Sequence, residues 1–384
     1  MLTTAKRLND QANPIRDLRT RSEIMEEVQS IASGPLRKIV RKIDQEGHYP
    51  LEIIADLGRA GALGAHLSVG GRRLGLAIEA MQAVSRVCGS TGFLMWAHDV
   101  CGIYLERSGK PALVEGLLPD HVSGRSFGGT ALSNPMKAFS GIEKMALRAD
   151  RVEGGYHVSG SLPWVSHIGR GQYCGAIATA SGTDGSEPRE IMFLLRLDDT
   201  VDLRTCPHFS GMEGTSTWGI GLEKYFVADD HVIADPAKPL IGRIRNEFIL
   251  LQAGMALGVI EGSIDSIRDV EPSLGHVNQY LHNRPHELQA EFEDLRSRIL
   301  TLAETPSESD LDYTLGVLDA RAQSAELALK ASQSALLHQG ARGYLMSSAP
   351  QRRIREAHFV AIVTPAIKHL RWEMARLSRE VYPS

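Results

Sequence analysis

The run Gly154-Gly155-Tyr156-His157-Val158-Ser159-Gly160-Ser161-Leu162-Pro163-Trp164-Val165-Ser166-His167 sets an indole and a hydroxyl two residues apart. Alternation over Tyr156 to Ser159 predicts a strand, then a turn and a second strand that ends at this pair. An indole can cover one face of a flat ring. A hydroxyl or backbone N–H beside it can hydrogen-bond the ring's edge. A packed face and edge hydrogen bonds are what a protein offers a flavin. On this segment alone a core tryptophan and a turn serine are the simpler reading, so the rest of the chain decides.

Other side chains could do chemistry. His98, His167, His338 and His358 are candidate acid–base groups. His98 stands in an apolar helix, as a core histidine would, whereas His167 directly follows the Trp164–Ser166 pair. Arg352, Arg353 and Arg355 with Lys368 and Arg371 could hold a phosphate or pyrophosphate. Solvated helix faces paired with acids account for most such clusters. Cys88, Cys101, Cys174 and Cys206 are widely spaced, with no Cys-x-x-Cys or Cys/His ligand spacing. That predicts no metal site, and free thiols in a reducing cytoplasm.

The whole chain has 384 residues, room for two or three domains. A net charge of −4 with mixed signs gives no footprint for nucleic acid. Met1 to Asp10 has no apolar core of a secretory signal. The most apolar stretch, Phe248 to Ile260, is short and rich in small residues, so it predicts a buried helix and no membrane span.

The first third reads as helices: Ser22 to Asp44, Leu51 to Ala60 closed by Gly61, and Leu76 to Cys88. Gly89-Ser90-Thr91-Gly92 breaks the last of these from an apolar helix over Phe93 to Arg107. From about Gly124 to Asp235, Gly, Thr, Val and Tyr dominate and turn dipeptides recur, which signals strands. Ser181 to Arg189 reads as a loop between two of them. Helical period returns after Pro239: Phe248 to Arg268, Glu287 to Glu304, Asp312 to Leu337, and Arg353 to Val363. Thr364-Pro365 then predicts a helix start, with threonine as N-cap and proline at the first position.

This order, with its local motifs, resembles the acyl-CoA dehydrogenase superfamily of flavoproteins from about His48 to Arg376. The family's Thr-Glu-Pro is matched by Ser133-Asn134-Pro135, and its Gly-Tyr…Trp-Ile-Thr run by Gly155-Tyr156 to Trp164-Val165-Ser166. Gly211-Met212-Glu213-Gly214-Thr215 is similar to its Gly-Met-Arg-Gly-Ser segment. Gly340-Ala341-Arg342-Gly343-Tyr344 is similar to its Gly-Gly-x-Gly-Tyr turn, and Arg355-Glu356-Ala357 to its Arg-Asp-Ala helix.

The resemblance implies an α+β multidomain fold. An N-terminal α-helical domain (1–123) precedes a middle β-barrel domain (124–238) and a C-terminal four-helix bundle (239–384). It implies FAD between the β domain and the bundle, in a homotetramer. Ser133, Trp164 and Ser166 would contact the flavin ring. Gly340 and Gly343 would let the backbone of a neighbouring subunit approach the adenine end, since no Cβ blocks the way. The implied activity is oxidation of an acyl thioester at Cα–Cβ, with electrons passed to an acceptor protein or to oxygen.

The resemblance departs at the base. Most members carry a Glu just before the last helix, where this chain has Thr364. Others carry it on the first bundle helix, at a position that falls on Phe248, with Glu247 adjacent. Glu247 is therefore the candidate base, although one residue turns a helix by about 100°. The family's Arg-x-x-Phe-Gly is also absent, and Leu337 stands where a Gln usually precedes the glycine turn. Two alternatives stay open. One is a flavin monooxygenase or oxidase on the same scaffold, which needs no α-carbon base. The other is a flavin-free, non-enzymatic relative.

Overall fold

The computed structural model describes residues 19–182 and 187–381. The expected loop over Ser181 to Arg189 lies partly outside the described residues. The N-terminal helices are α1 (Arg21–Ile31), α2 (Arg37–Glu46), α3 (Leu51–Arg59), α4 (Leu74–Val87), α5 (Gly89–Arg107), α6 (Pro111–Val114) and α7 (Leu118–Val122). A π-helical turn over Ala32–Leu36, which contains Pro35, joins α1 to α2. Proline lacks the N–H an α-helix needs there, and a wider turn accommodates it.

Gly89-Ser90-Thr91-Gly92 does not break the chain as expected: α5 starts at Gly89, and only Cys88 is extended. These glycines serve close packing. A Cβ on Gly92 would stand 1.8 Å from Ser85 Oγ of α4, and one on Gly89 would stand 2.9 Å from the Glu356 carboxyl carbon.

The middle unit runs β1 (Gly128–Thr130), α8 (Ser133–Phe139), β2 (Leu147–Val152), β3 (Gly155–Val165), β4 (Tyr173–Ala180), β5 (Arg189–Arg196), β6 (Asp202–Thr205), β7 (Trp218–Ala228) and β8 (Val232–Ala234). They form one sheet in the order β6-β7-β3-β2-β4-β5-β8, with β1 parallel on β4. β5 and β7 also approach each other, so the sheet curls around its own core of Tyr156, Val158, Phe193, Leu195 and Ile220. Along β3 the burial alternates at first and fails past Ser159, where bulges against β7 turn Trp164 outward.

The C-terminal helices are α9 (Lys238–Arg268), α10 (Glu271–Asn278), α11 (Pro285–Leu302), α12 (Leu311–Gln339), α13 (Ala349–Ile362) and α14 (Ile367–Val381). α9 is long and apolar enough to cross a membrane by length and composition, but it is mostly buried. It packs on α4 and α5 from one side and on α11, α12 and α13 from the other, which is why it is apolar all round. The last helix begins later than Thr364-Pro365 predicts. Ala366 caps it, accepting from the N–H groups of His369 and Leu370. The Thr364 carbonyl instead accepts from Gln252 Nε2 at 2.8 Å, so Thr364 belongs to the turn between α13 and α14.

Candidate functional site

Three parts of the chain meet at that turn. Ser133, at the head of α8, hydrogen-bonds Thr364 across the junction of the β unit and the bundle, Oγ to Oγ1, at 3.0 Å. Asn134 holds α8 in place: its Oδ1 accepts from the Ala146 N–H, and its Nδ2 donates to the Lys144 carbonyl. Beside it runs the end of β3. Gly129 of β1 lies so near that a Cβ there would stand 2.8 Å from the Ser166 carbonyl oxygen. Ser166 Oγ is paired with Thr217 Oγ1 at 2.7 Å, and Thr217 with Thr215 at 2.9 Å. Trp164 is 59% exposed, backed edge-on by Phe209 with ring centroids 5.8 Å apart. Ile362, at the end of α13, is also exposed.

The turn is held from below. Gln252 of α9 is fully buried and donates to the Thr364 carbonyl. Its Oε1 accepts from Arg321 Nε at 3.0 Å, and Arg321 also donates to the Val360 carbonyl at 2.6 Å. Arg321 is 1% exposed, and burial pushes its guanidinium down to about 10. None of its hydrogen bonds goes to a carboxylate. The free carbonyl in the last turn of α13 supplies the negative partial charge it faces.

Of the sequence candidates, Ser133 reaches this turn directly, and Ser166, two residues after Trp164, lies against β1. Glu247 stands elsewhere. Its carboxylate pairs with Arg107 Nη2 at 3.1 Å, near the end of α5. Burial raises its proton affinity, and Arg107 opposes that rise. The one-residue offset explains the placement: the neighbouring Phe248 faces Trp96, and Glu247 is rotated off that face.

Gly340 and Gly343 lie at a different place, in the turn after α12. Gly340 has φ +62°, and a Cβ on Gly343 would meet Gln339 Cβ at 2.8 Å. Both requirements explain glycine there. The turn is bordered by exposed Leu337, Tyr344, Leu345 and Met346.

His98, His167, Arg352, Arg353 and Arg355 are built into the packing. His98 and His121 stack at 3.6 Å, and each Nε2 donates to the other residue's carbonyl. The Gly128 N–H and the Tyr173 hydroxyl reach the two Nδ1 atoms, and burial favours the neutral form of both rings. His167 is fully buried behind Ser166, with φ +60°, and its Nδ1 bonds Tyr49 Oη at 2.8 Å. Arg352 and Arg353 are buried against backbone carbonyls of α4, and Arg355 grips Asp44 with two bonds of 2.7 and 2.8 Å. They tie α13 to the N-terminal helices and leave no phosphate cradle. The sequence offered no signal for Gln252 or Arg321 beyond a polar residue within an apolar stripe.

The arrangement suits a flat ring with one polar edge. Trp164 supplies an exposed aromatic side chain, and the Ser166–Thr217 and Ser133–Thr364 pairs supply hydroxyls. Among the described residues, no group of three or more His, Cys, Asp or Glu side chains could hold a metal ion.

Comparison with known proteins gives the same outline. Residues 19–125 match the family model described as acyl-CoA dehydrogenase, N-terminal domain. A mitochondrial isovaleryl-CoA dehydrogenase of Oryza sativa subsp. japonica is 25% identical over 387 residues, covering 93% of this chain and 91% of the relative. Among solved structures, a glutaryl-coenzyme A dehydrogenase superposes with TM-score 0.82 at 18% identity, over 92% of this chain and 94% of that one. A dibenzothiophene monooxygenase from Paenibacillus sp. A11-2 superposes with TM-score 0.76 at 16% identity, over 91% and 95%.

Proposed function

We propose that this chain, a member of the acyl-CoA dehydrogenase superfamily, is an FAD-dependent oxidoreductase that oxidises an acyl thioester at Cα–Cβ. The observation that carries this reading is the Ser133–Thr364 bond, which joins β unit to bundle in a chain that leaves Trp164 exposed at the end of β3. The similarity to isovaleryl-CoA dehydrogenase over nearly the whole chain supports the substrate class.

Bound there, a flavin supplies a two-electron acceptor that a protein partner or oxygen can reoxidise. Trp164 would pack on the ring, and Ser166 and Ser133 would hydrogen-bond its edge. Gly340 and Gly343 of a second copy would admit the adenine end. Thr364 can donate a hydrogen bond to a thioester carbonyl, but its hydroxyl takes no proton at neutral pH. Gln252 and Arg321 hold the turn and place a buried positive charge beneath it, which favours negative charge developing on a bound thioester.

A second reading rests on the same turn. Thr364 and Phe248 stand at the two expected base positions, and Glu247 is engaged by Arg107. A site without a carboxylate suits a monooxygenase or oxidase, and a monooxygenase shares the fold. The absorbance spectrum of the purified protein separates the readings. A flavin band bleached anaerobically by an acyl thioester supports the dehydrogenase. A band bleached only by an added reductase, with oxygen then consumed, supports the second reading. No band, even after FAD is added, would leave only a flavin-free role.

A further inference from the structure

His167 stands next to Ser166 and has no part in the chemistry proposed above, yet its backbone and its ring are both constrained. Its φ is +60°, a left-handed conformation that few residues other than glycine adopt. β3 ends at Val165, so Ser166 and His167 lie past the last paired residue of that strand. They are held there from two sides.

One side is the loop before β7. The His167 N–H donates to the Thr215 carbonyl at 2.9 Å, and Ser216 Oγ donates to the Ile168 carbonyl at 2.8 Å. Thr217, the partner of Ser166 Oγ, ends this loop. The other side is the N-terminal helical unit. Half-buried Tyr49, between α2 and α3, hydrogen-bonds His167 Nδ1 through its hydroxyl at 2.8 Å. The amide of buried Gln172 steadies that hydroxyl, with contacts of 3.2 and 3.3 Å. His167 Nε2 is buried with no hydrogen-bond partner among the described residues, so the bond to Tyr49 alone orients the ring in this way.

His48, the residue before Tyr49, meets the loop itself. A Cβ on Gly214 would stand 2.7 Å from the His48 carbonyl oxygen and 2.5 Å from Ile43 Cγ2 of α2. The segment His48-Tyr49 therefore bears on both members of the hydroxyl pair. It reaches Ser166 through His167, and Thr217 through the loop at Gly214.

We propose that Tyr49 and His167 are positioning residues that hold the Ser166 hydroxyl where it meets the flavin edge, and so couple the N-terminal unit to the flavin. This rests on the flavin reading above, in which Ser166 contacts the ring. Neither side chain acts on the flavin directly; both act through Ser166.

The test is titration of the flavin-free protein with FAD, then the visible absorbance spectrum at saturation. Tyr49→Phe removes one oxygen and keeps the ring. It should weaken FAD binding about fivefold, what one neutral hydrogen bond contributes, and shift the visible bands of the bound flavin. His167→Leu should do the same. His167→Asn should return both readouts to wild type, because asparagine visits the left-handed region and carries a polar atom in the place of Nδ1. The bands report hydrogen bonds at the ring edge, so a purely structural role would leave them alone. Tyr49→Phe or His167→Leu that melts lower yet keeps wild-type affinity and bands overturns the proposal. So does His167→Asn that behaves as His167→Leu does. If His167→Leu does not fold, Tyr49→Phe decides alone: shifted bands support the proposal, and wild-type bands overturn it. If wild type itself binds no FAD, the flavin reading fails and this proposal with it.

Discussion

Trp164 is a large apolar side chain left mostly in water at the end of a strand whose other end is well buried. Its role as a ring wall predicts that Trp164→Ala weakens FAD retention without lowering the melting temperature of the flavin-free protein. Gel filtration followed by flavin absorbance reads the first effect. Retention equal to wild type would move the ring elsewhere. Glu247 gives the opposite kind of prediction. Burial raises its proton affinity above the ordinary carboxylate value of 4.5, against the pull of Arg107. An acid whose folded pKa is raised binds more protons folded than unfolded, so stability declines as pH rises above 4.5. Glu247→Gln removes that decline, and its melting temperature should gain on wild type as pH goes from 4.5 to 7. Flavin reduction by acyl thioesters, if wild type shows it, should change less than threefold. A loss of roughly 10²–10⁴-fold would make Glu247 the base after all.

Between elements, buried polar contacts hold the α13–α14 turn and the α5–α7 contact. Gln252→Leu removes the partner of the buried Arg321 Nε and of the part-buried Thr364 carbonyl, at a cost of about 1–3 kcal/mol. Hydrogen exchange should quicken over residues 362–366 in that variant, and unchanged exchange there would show that Gln252 does not set the turn. The His98–His121 pair behaves as a neutral clasp between α5 and α7. Burial, with the His121 carbonyl opposing, drives His98 from 6.5 down to about 4. A histidine whose folded pKa is lowered binds fewer protons folded than unfolded, so its contribution is present above 6.5 and lost as pH falls to 4. His98 alone accounts for about 3 kcal/mol over that interval. The melting temperature should fall steeply there, and His98→Asn should flatten the slope. The helices and the strand-rich middle were legible because burial follows the helical period in α12 and the apolar run Ile191 to Leu195 in β5. The motif order also led to Ser133, Trp164 and Ser166. What sequence did not yield were features set by contacts between distant segments. Gly89 and Gly92 read as a break because their neighbours, Glu356 and Ser85, lie on other helices. Thr364 read as a cap because Gln252, which takes its carbonyl, is 112 residues away. Arg352 and Arg353 read as solvated because nothing local shows that α4 covers them.

For the molecule as a whole, the unanswered surface lies at the far ends of α10 and α12. Val277, Tyr280, Leu337, Tyr344, Leu345 and Met346 are all exposed, Tyr280 at 82% and Tyr344 at 73%. Asn278 bonds the His338 carbonyl, so the two helix ends are adjacent. Tyr280 and Leu337 border one depression there. Monomeric proteins rarely leave so many large apolar groups together in water, and closed symmetry is the usual cover. A homotetramer, which we propose, would bury this face against a second copy and bring Gly340 and Gly343 to a neighbour's adenine end. Light scattering at micromolar protein should give four times the 41.9 kDa chain mass. Tyr344→Asp with Leu345→Asp should split the assembly and lower FAD affinity in the same protein, although neither residue is near Trp164. A split assembly that keeps FAD as tightly as wild type would mean that each chain holds the adenine end with its own residues. A wild-type monomer at that concentration would mean that the apolar face has some other cover.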